Sequence, residues 1–188
     1  MINSQIEEDI PPGYVRVTEV LKPYVSFDGI PPLVLENAAE RGRRVHKYCE
    51  LYSQNLLIEK VDDECKPYVD SFIYWFEAVV EELLVSEIRL SCPKYLVSGK
   101  LDMVVTIKGD TTLTLVDFKT PQQASCSWQL QTAAYRYLLR AVEGVNIQRR
   151  ISLILDREGK MPRRKEYFDH EMDERLFLHA VELYHFFK

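Results

Sequence analysis

The chain has 188 residues, 46% of them hydrophobic, which is enough for a substantial core without disulfide or metal staples. Its formal charge of −5, from 29 Asp and Glu against 24 Lys and Arg, argues against nucleic acid as a partner unless positive residues are gathered locally. No apolar run is long enough to span a bilayer, and Cys49, Cys65, Cys92 and Cys126 are scattered without C-x-x-C spacing.

Residues 1–32 read as an entry segment and 33–188 as the core of a single domain. The first residues carry Glu7, Glu8 and Asp9 and no Arg, unlike a transit peptide, and no secretory signal is seen. The expectation is a cytoplasmic protein with free thiols, in a prokaryote or a phage-infected cell. Pro31-Pro32 then precede a helix over 33 to about 57, where Leu35, Ala38, Ala39, Val45, Cys49 and Tyr52 recur at helical spacing. On it, His46 and Glu50 share a face, and Gly42 leaves that face open to another backbone or a ligand. Arg41, Arg43, Arg44 and Lys47 surround His46, a local cluster of positive charge that would neutralise phosphates. Further cations gather at Arg149-Arg150 and at Lys160, Arg163, Arg164 and Lys165.

Residues 64–85 have the pattern of a long helix, with Tyr68, Phe72, Trp75, Phe76, Val79, Val80 and Leu83 as a core-facing stripe. Glu87 follows on a strand. The next two runs, Leu101 to Ile107 and Leu115 to Lys119, read as adjacent strands of a hairpin around Lys108-Gly109-Asp110-Thr111. With Gly109-Asp110 as the central turn residues, opposed positions sum to 219, and Asp102 faces Asp117. Asp117 and Lys119 then share one strand face, while Val116 and Phe118 point into the core. A helix from about Trp128 to near Gly144 places Gln131 and Tyr135 on one face. Two strands around an Arg157-Glu158-Gly159-Lys160 turn and a closing helix over 169–188 complete the chain, an order that suits a mixed sheet flanked by helices.

Two carboxylates facing each other at roughly 5 Å repel. A divalent cation between them removes the repulsion, and hard cations such as Mg²⁺ and Mn²⁺ favour oxygen ligands. A neighbouring lysine then orients or deprotonates an attacking water. Neutral imidazole is a ligand for Mn²⁺-like metals and adds no negative charge. A glutamine amide and a tyrosine hydroxyl hold phosphate or water without adding charge beside the acids.

His46, Gly99-x-x-Asp102, Asp117-x-Lys119 and Gln131-x-x-x-Tyr135, in this order, resemble the PD-(D/E)XK nuclease superfamily. The likeness is closest to its RecB-like exonuclease branch, which includes the RecB nuclease domain, the Cas4 nucleases and a mitochondrial single-strand exonuclease. It spans roughly residues 46–139. Val17-Thr18-Glu19-Val20-Leu21-Lys22-Pro23 is also similar to the entry segment of phage-encoded members. The resemblance implies an α/β (α+β mixed) fold with a restriction-endonuclease-like core, in which a central mixed sheet with an antiparallel catalytic hairpin is flanked by helices. It implies His46, Asp102, Asp117 and the Phe118 backbone carbonyl as ligands of one or two Mg²⁺ or Mn²⁺ ions, with Glu87 as an additional acid. Lys119 would position or activate the nucleophilic water, and Gln131 and Tyr135 would complete the site. Cas4-type relatives hold an iron–sulfur cluster with one upstream cysteine and three near the C-terminus. Here none lies beyond Cys126, so no cluster is expected.

The function so implied is metal-dependent DNA exonuclease activity in recombination, repair or phage DNA processing, with a recombination or annealing protein as a further partner and no membrane. The alternatives are a non-catalytic nucleic-acid-binding module on the same fold and a DNA endonuclease. Retention of both carboxylates and the lysine speaks against the first, and the lack of an inserted recognition element against the second.

Overall fold

The computed structural model describes residues 9–121 and 123–188, so Glu7 and Glu8 of the entry segment lie outside the described residues. A short strand β1 (Val15–Arg16) and helix α1 (Val17–Leu21) come first. Val15, Val17, Val20 and Leu21 are buried, so the segment ahead of residue 33 supplies core as well as entry. Helix α2 (Pro32–Ser53) starts on Pro32, whose fixed φ suits the first helical turn. Its first half is exposed, and Val45 and Cys49 in its second half are fully buried.

Helix α3 (Lys66–Val79) buries Phe72 and Trp75, as the aromatic stripe predicts. It ends earlier than the helix predicted over 64–85, because Val80 opens strand β2 (Val80–Cys92). Register shifts after Val80 and after Leu83 interrupt the two-residue alternation. The apolar residues there fall at spacings that imitate a helix.

β2 runs antiparallel to β3 (Val97–Ile107), which in turn pairs antiparallel with β4 (Asp110–Lys119). The tight turn is centred on Lys108-Gly109, one residue earlier than predicted, since Ile107 opposes Asp110. Gly109 takes φ +76°, the left-handed conformation that such a turn requires. An irregularity on the β4 side then moves the pairing to Val105↔Thr114, Val104↔Leu115 and Met103↔Val116. The two departures cancel, and these pairs have the predicted register. Asp102 and Asp117 occupy the next opposed position, where pairing stops. The same edge of β3 is taken up further along by β1, parallel at Val97 and Ser98. β3 and β4 therefore part at the two aspartates.

Helix α4 (Ser127–Glu143) connects β4 to the parallel strand β5 (Arg149–Ile154) and ends at Gly144, φ +68°. Strand β6 (Arg163–Tyr167) pairs antiparallel with β5. Helix α5 (His170–Phe187) is capped by Asp169, whose side chain accepts the Met172 N–H. The sheet is six-stranded and mixed, ordered β1-β3-β4-β5-β6 with β2 on the other side of β3. One face carries α1, α4 and α5 over Leu101, Val104, Leu115, Leu138 and Phe177. The other carries α2 and α3 over Met103, Val105, Val116, Phe118 and Phe72. Buried Arg150 of β5 donates to the Gln129 carbonyl at 3.0 Å and pairs with Asp173, tying the sheet to α4 and α5. No helix of the described residues is long and apolar enough to cross a membrane.

Candidate active site

The site lies where β2 and β3 change their side-chain phase beside β4. Leu101 and Met103 are two apart and should share a face, yet Leu101 packs under α4 and Met103 under α2 and α3. On β2, Val85 and Ile88 are three apart and both pack on the α4 side. The slips fall at Asp102 and Glu87. Because both strands slip together, the register is the same on either side, with Val85↔Val104 and Ile88↔Leu101. Glu87 therefore lies opposite Asp102 and takes φ +54°, a conformation that costs of order 1 kcal/mol or more for a residue with a Cβ. Three acids, Glu87, Asp102 and Asp117, thus stand side by side on three adjacent strands.

His46 reaches this row from α2. Its Nδ1 is 3.0 Å from Asp102 Oδ1, and its ring meets the Phe118 ring edge-on at 5.6 Å. The second Asp102 oxygen accepts the Phe118 N–H, which the parting of β3 and β4 leaves without a ladder partner. One ligand atom each from His46, Glu87 and Asp102 lies within 4.8 Å of the others. The Asp117 carboxylate turns instead toward α4. Lys119 Nζ is 2.6 Å from Asp117 Oδ2 and donates to Gln131 Oε1 at 2.9 Å; Gln131 Nε2 donates to the Tyr135 hydroxyl at 2.9 Å. Lys119 Nζ also lies 5.5 Å from the Trp128 ring centroid. Gly99 allows the close approach on the α4 side, since a Cβ there would come within 2.9 Å of the Tyr135 ring.

The electrostatics are those of a buried row of acids, each with one basic neighbour, in which burial is the largest influence. Burial, reinforced by Asp102, pushes the Glu87 carboxyl up to about 7 against the pull of Lys100, 2.6 Å away. Burial likewise pushes Asp117 up to about 6, with Lys119 opposing and Asp102 adding to the rise. For Asp102, burial is outweighed by His46, Lys119 and the Phe118 N–H, and its carboxyl stays below the usual range. His46 is the reciprocal case: burial disfavours its cation, but the Asp102 carboxylate raises it above an ordinary histidine. One buried oxygen, Glu87 Oε1, has no hydrogen-bond donor, and Asp117 Oδ2 has only the Lys119 ammonium beside it at 2.6 Å. Metal–ligand bonds of about 2.0–2.6 Å put ligands on opposite sides of a cation about 4–5 Å apart. The His46, Glu87 and Asp102 cluster meets that spacing, and an imidazole with carboxylates suits a hard or borderline divalent ion.

Of the sequence-predicted residues, His46, Glu87, Asp102, Asp117, Phe118, Lys119, Gln131 and Tyr135 come together in this way. The cations of α2 do not form an open patch. Arg41 and Arg44 pair with Glu64 at 3.1 and 2.9 Å, Arg44 also with Asp62 at 2.9 Å, and Lys47 with Glu50 at 2.7 Å. Only Arg43 of the four is without an ion pair among the described residues. Gly42 faces the Thr120 side chain rather than an open space. Two neighbours go beyond the sequence prediction, Lys100 beside Glu87 and Trp128 beside Lys119. Trp128 is within reach of the sequence, as it extends the stripe of Gln131 and Tyr135 by one turn toward the N-terminus.

A sequence profile described as the PD-(D/E)XK nuclease superfamily matches residues 33–183, most of the chain. The chain belongs to the PD-(D/E)XK nuclease superfamily. Among solved structures, it is similar to an alkaline exonuclease from Laribacter hongkongensis, with 12% identity and a TM-score of 0.43, over 93% of this chain and 91% of that one. It is also similar to the SSO0001 protein, with 13% identity and a TM-score of 0.42, over 94% of this chain and 77% of that one. No curated protein sequence matches the chain. The mixed sheet with helices on both faces is the restriction-endonuclease-like core of the superfamily.

Proposed function

We propose that this chain is a divalent-metal-dependent DNA exonuclease whose site is built from His46, Glu87, Asp102, Asp117, Lys119, Gln131 and Tyr135. The observation that carries the reading is the row of three acids across β2, β3 and β4, with a buried Glu87 oxygen that lacks a donor and a lysine fixed beside Asp117. His46, Glu87, Asp102 and Asp117, with the Phe118 carbonyl, would hold one or two Mg²⁺ or Mn²⁺ ions. Such an ion supplies Lewis acidity toward the phosphate and eases deprotonation of water.

The chain's own groups do the rest. Lys119 Nζ, held by Asp117 and Gln131, directs a fixed positive charge at the phosphate oxygens, where negative charge builds in the transition state. The Tyr135 hydroxyl accepts from the Gln131 amide, and so sets which end of that amide meets the lysine. Trp128 covers the lysine and limits the water around it. Exonucleolytic action is preferred to endonucleolytic action because, among the described residues, the sheet and its flanking helices carry no added element for reading an internal sequence. The experiment is digestion of end-labelled linear and closed circular DNA, single- and double-stranded, with Mg²⁺ or Mn²⁺. Linear DNA should be consumed and circles spared. Circles cut as fast as linear DNA would make the chain an endonuclease, and tight binding without cutting in either metal would make it a binding module.

A further inference from the structure

Strand pairing extends the site-facing surface past Asp117 and Lys119. Across β4, β5 and β6 the register gives two unbroken rows: Asp117, Ser152, Lys165 and Lys119, Ile154, Arg163. Residues in one row point to the same side of a sheet. Ile151, Leu153 and Leu155 line the α2 and α3 side, so Ser152 and Ile154 lie on the side of Asp117 and Lys119. Ile154 packs there with Trp128 and Tyr167, and the Tyr167 hydroxyl donates to Ser152 Oγ at 3.2 Å. Alternation along β6 then puts Arg163 and Lys165 on this side too. The Lys165 ammonium lies 5.6 Å from the Tyr167 ring centroid. β6 is the last strand of the sheet, and two strand spacings place it about 10 Å from the Asp117 and Lys119 row.

A row of acids repels a polyanion, and something must offset that repulsion within a Debye length, about 8–10 Å at ordinary salt. The α2 arginines Arg41 and Arg44 are engaged with Asp62 and Glu64. Lys165 has no ion-pair partner among the described residues. We propose that the site-facing side of β6, through Arg163 and Lys165, holds backbone phosphates next to the one presented to Lys119, on the same DNA strand. This rests on the nuclease reading for the identity of the polyanion. Lysine and arginine on an edge strand also guard against edge-to-edge pairing, and the experiment separates that role from DNA binding.

The test is binding of a fluorescently labelled single-stranded oligonucleotide without divalent cation, over a salt series, with KM for linear DNA measured beside it. The double variant Arg163→Ala/Lys165→Ala should bind about tenfold more weakly at ~0.1 M salt, and its log K against log salt should be shallower by about 0.7 for each phosphate no longer neutralised. KM should rise by a similar factor. Lys165→Gln should show about half the change in slope, which keeps the test open should the double variant prove unstable in thermal unfolding. Arg164→Ala removes one charge from the opposite side of the same strand and should alter neither quantity. Unchanged binding in the β6 variants leaves those cations as edge guards only and overturns the proposal; so does an equal loss in Arg164→Ala. A chain that cuts no DNA yet binds it through Arg163 and Lys165 would refute the nuclease reading while leaving this surface in place.

Discussion

The two sides of the candidate site solve opposite problems. On the α2 side, His46, Glu87 and Asp102 crowd ligand atoms together and leave negative charge over, with one Glu87 oxygen lacking a donor. On the α4 side, Lys119, Gln131 and Tyr135 form a chain in which each group is committed to the next. The first arrangement waits for a cation, whereas the second already holds one and fixes where it points. Asp117 belongs to both, repelled by Asp102 and attracted by Lys119. Capture of a cation and orientation of a charge are therefore separable by mutation.

The largest expected effect is on the α4 side. Lys119→Ala should lower cleavage by about 10²–10³-fold or more while the chain still folds and still binds Mn²⁺. Full metal-dependent cleavage by the purified variant would reject the assignment of Lys119. On the α2 side, Glu87→Gln and His46→Ala should each weaken Mn²⁺ binding, measured by calorimetry, by about tenfold or more, and high metal should restore part of the activity. If Glu87→Gln bound metal like the parent, Glu87 would be only a strained partner of Lys100. Smaller again is the effect of Tyr135→Phe, which removes the acceptor that orients Gln131. A hydrogen bond worth about 1 kcal/mol predicts a loss near fivefold in kcat, with metal affinity unchanged.

The smallest effect is on stability and separates the sides by pH. Glu87 and Asp117, at about 7 and about 6 in the folded chain, both lie above their ordinary values of 4.5 and 3.8. Between about pH 4 and pH 7 the metal-free folded chain keeps protons that the unfolded chain has released. Their contribution is thus present at low pH and lost as pH rises through those values. Glu87→Gln cannot ionise, so its melting temperature relative to the parent should become more favourable from pH 4 to pH 8, without metal. A difference that is flat with pH would mean that Glu87 is not desolvated as the fold implies.

Much of this site is legible in the sequence because its signals are local or pairwise. Counting along a hairpin pairs Asp102 with Asp117, and the count survives a turn shifted to Lys108-Gly109 because a later irregularity compensates for it. One helical turn pairs Gln131 with Tyr135. Glu87 is harder to weigh, because its approach to His46 depends on a positive φ and a matched slip of two strands, and neither leaves a mark in residue type. Residues 80–85 read as helix because the bulges that shape β2 also erase its alternation. Arg41 and Arg44 look available to DNA because their partners, Asp62 and Glu64, are about 20 residues away and meet them only in three dimensions.

Gly99 gives the α4 side an unusual vulnerability. Its missing side chain lets Leu138 and Tyr135 rest against the sheet at distances no Cβ would permit. α4 carries Trp128, Gln131 and Tyr135 together, so the bearing of the Lys119 ammonium is calibrated by the thickness of one hydrogen atom on a neighbouring strand. A single methyl group there, neither charged nor in contact with substrate, would displace the Leu138 and Tyr135 side chains and with them the partner that orients Gln131.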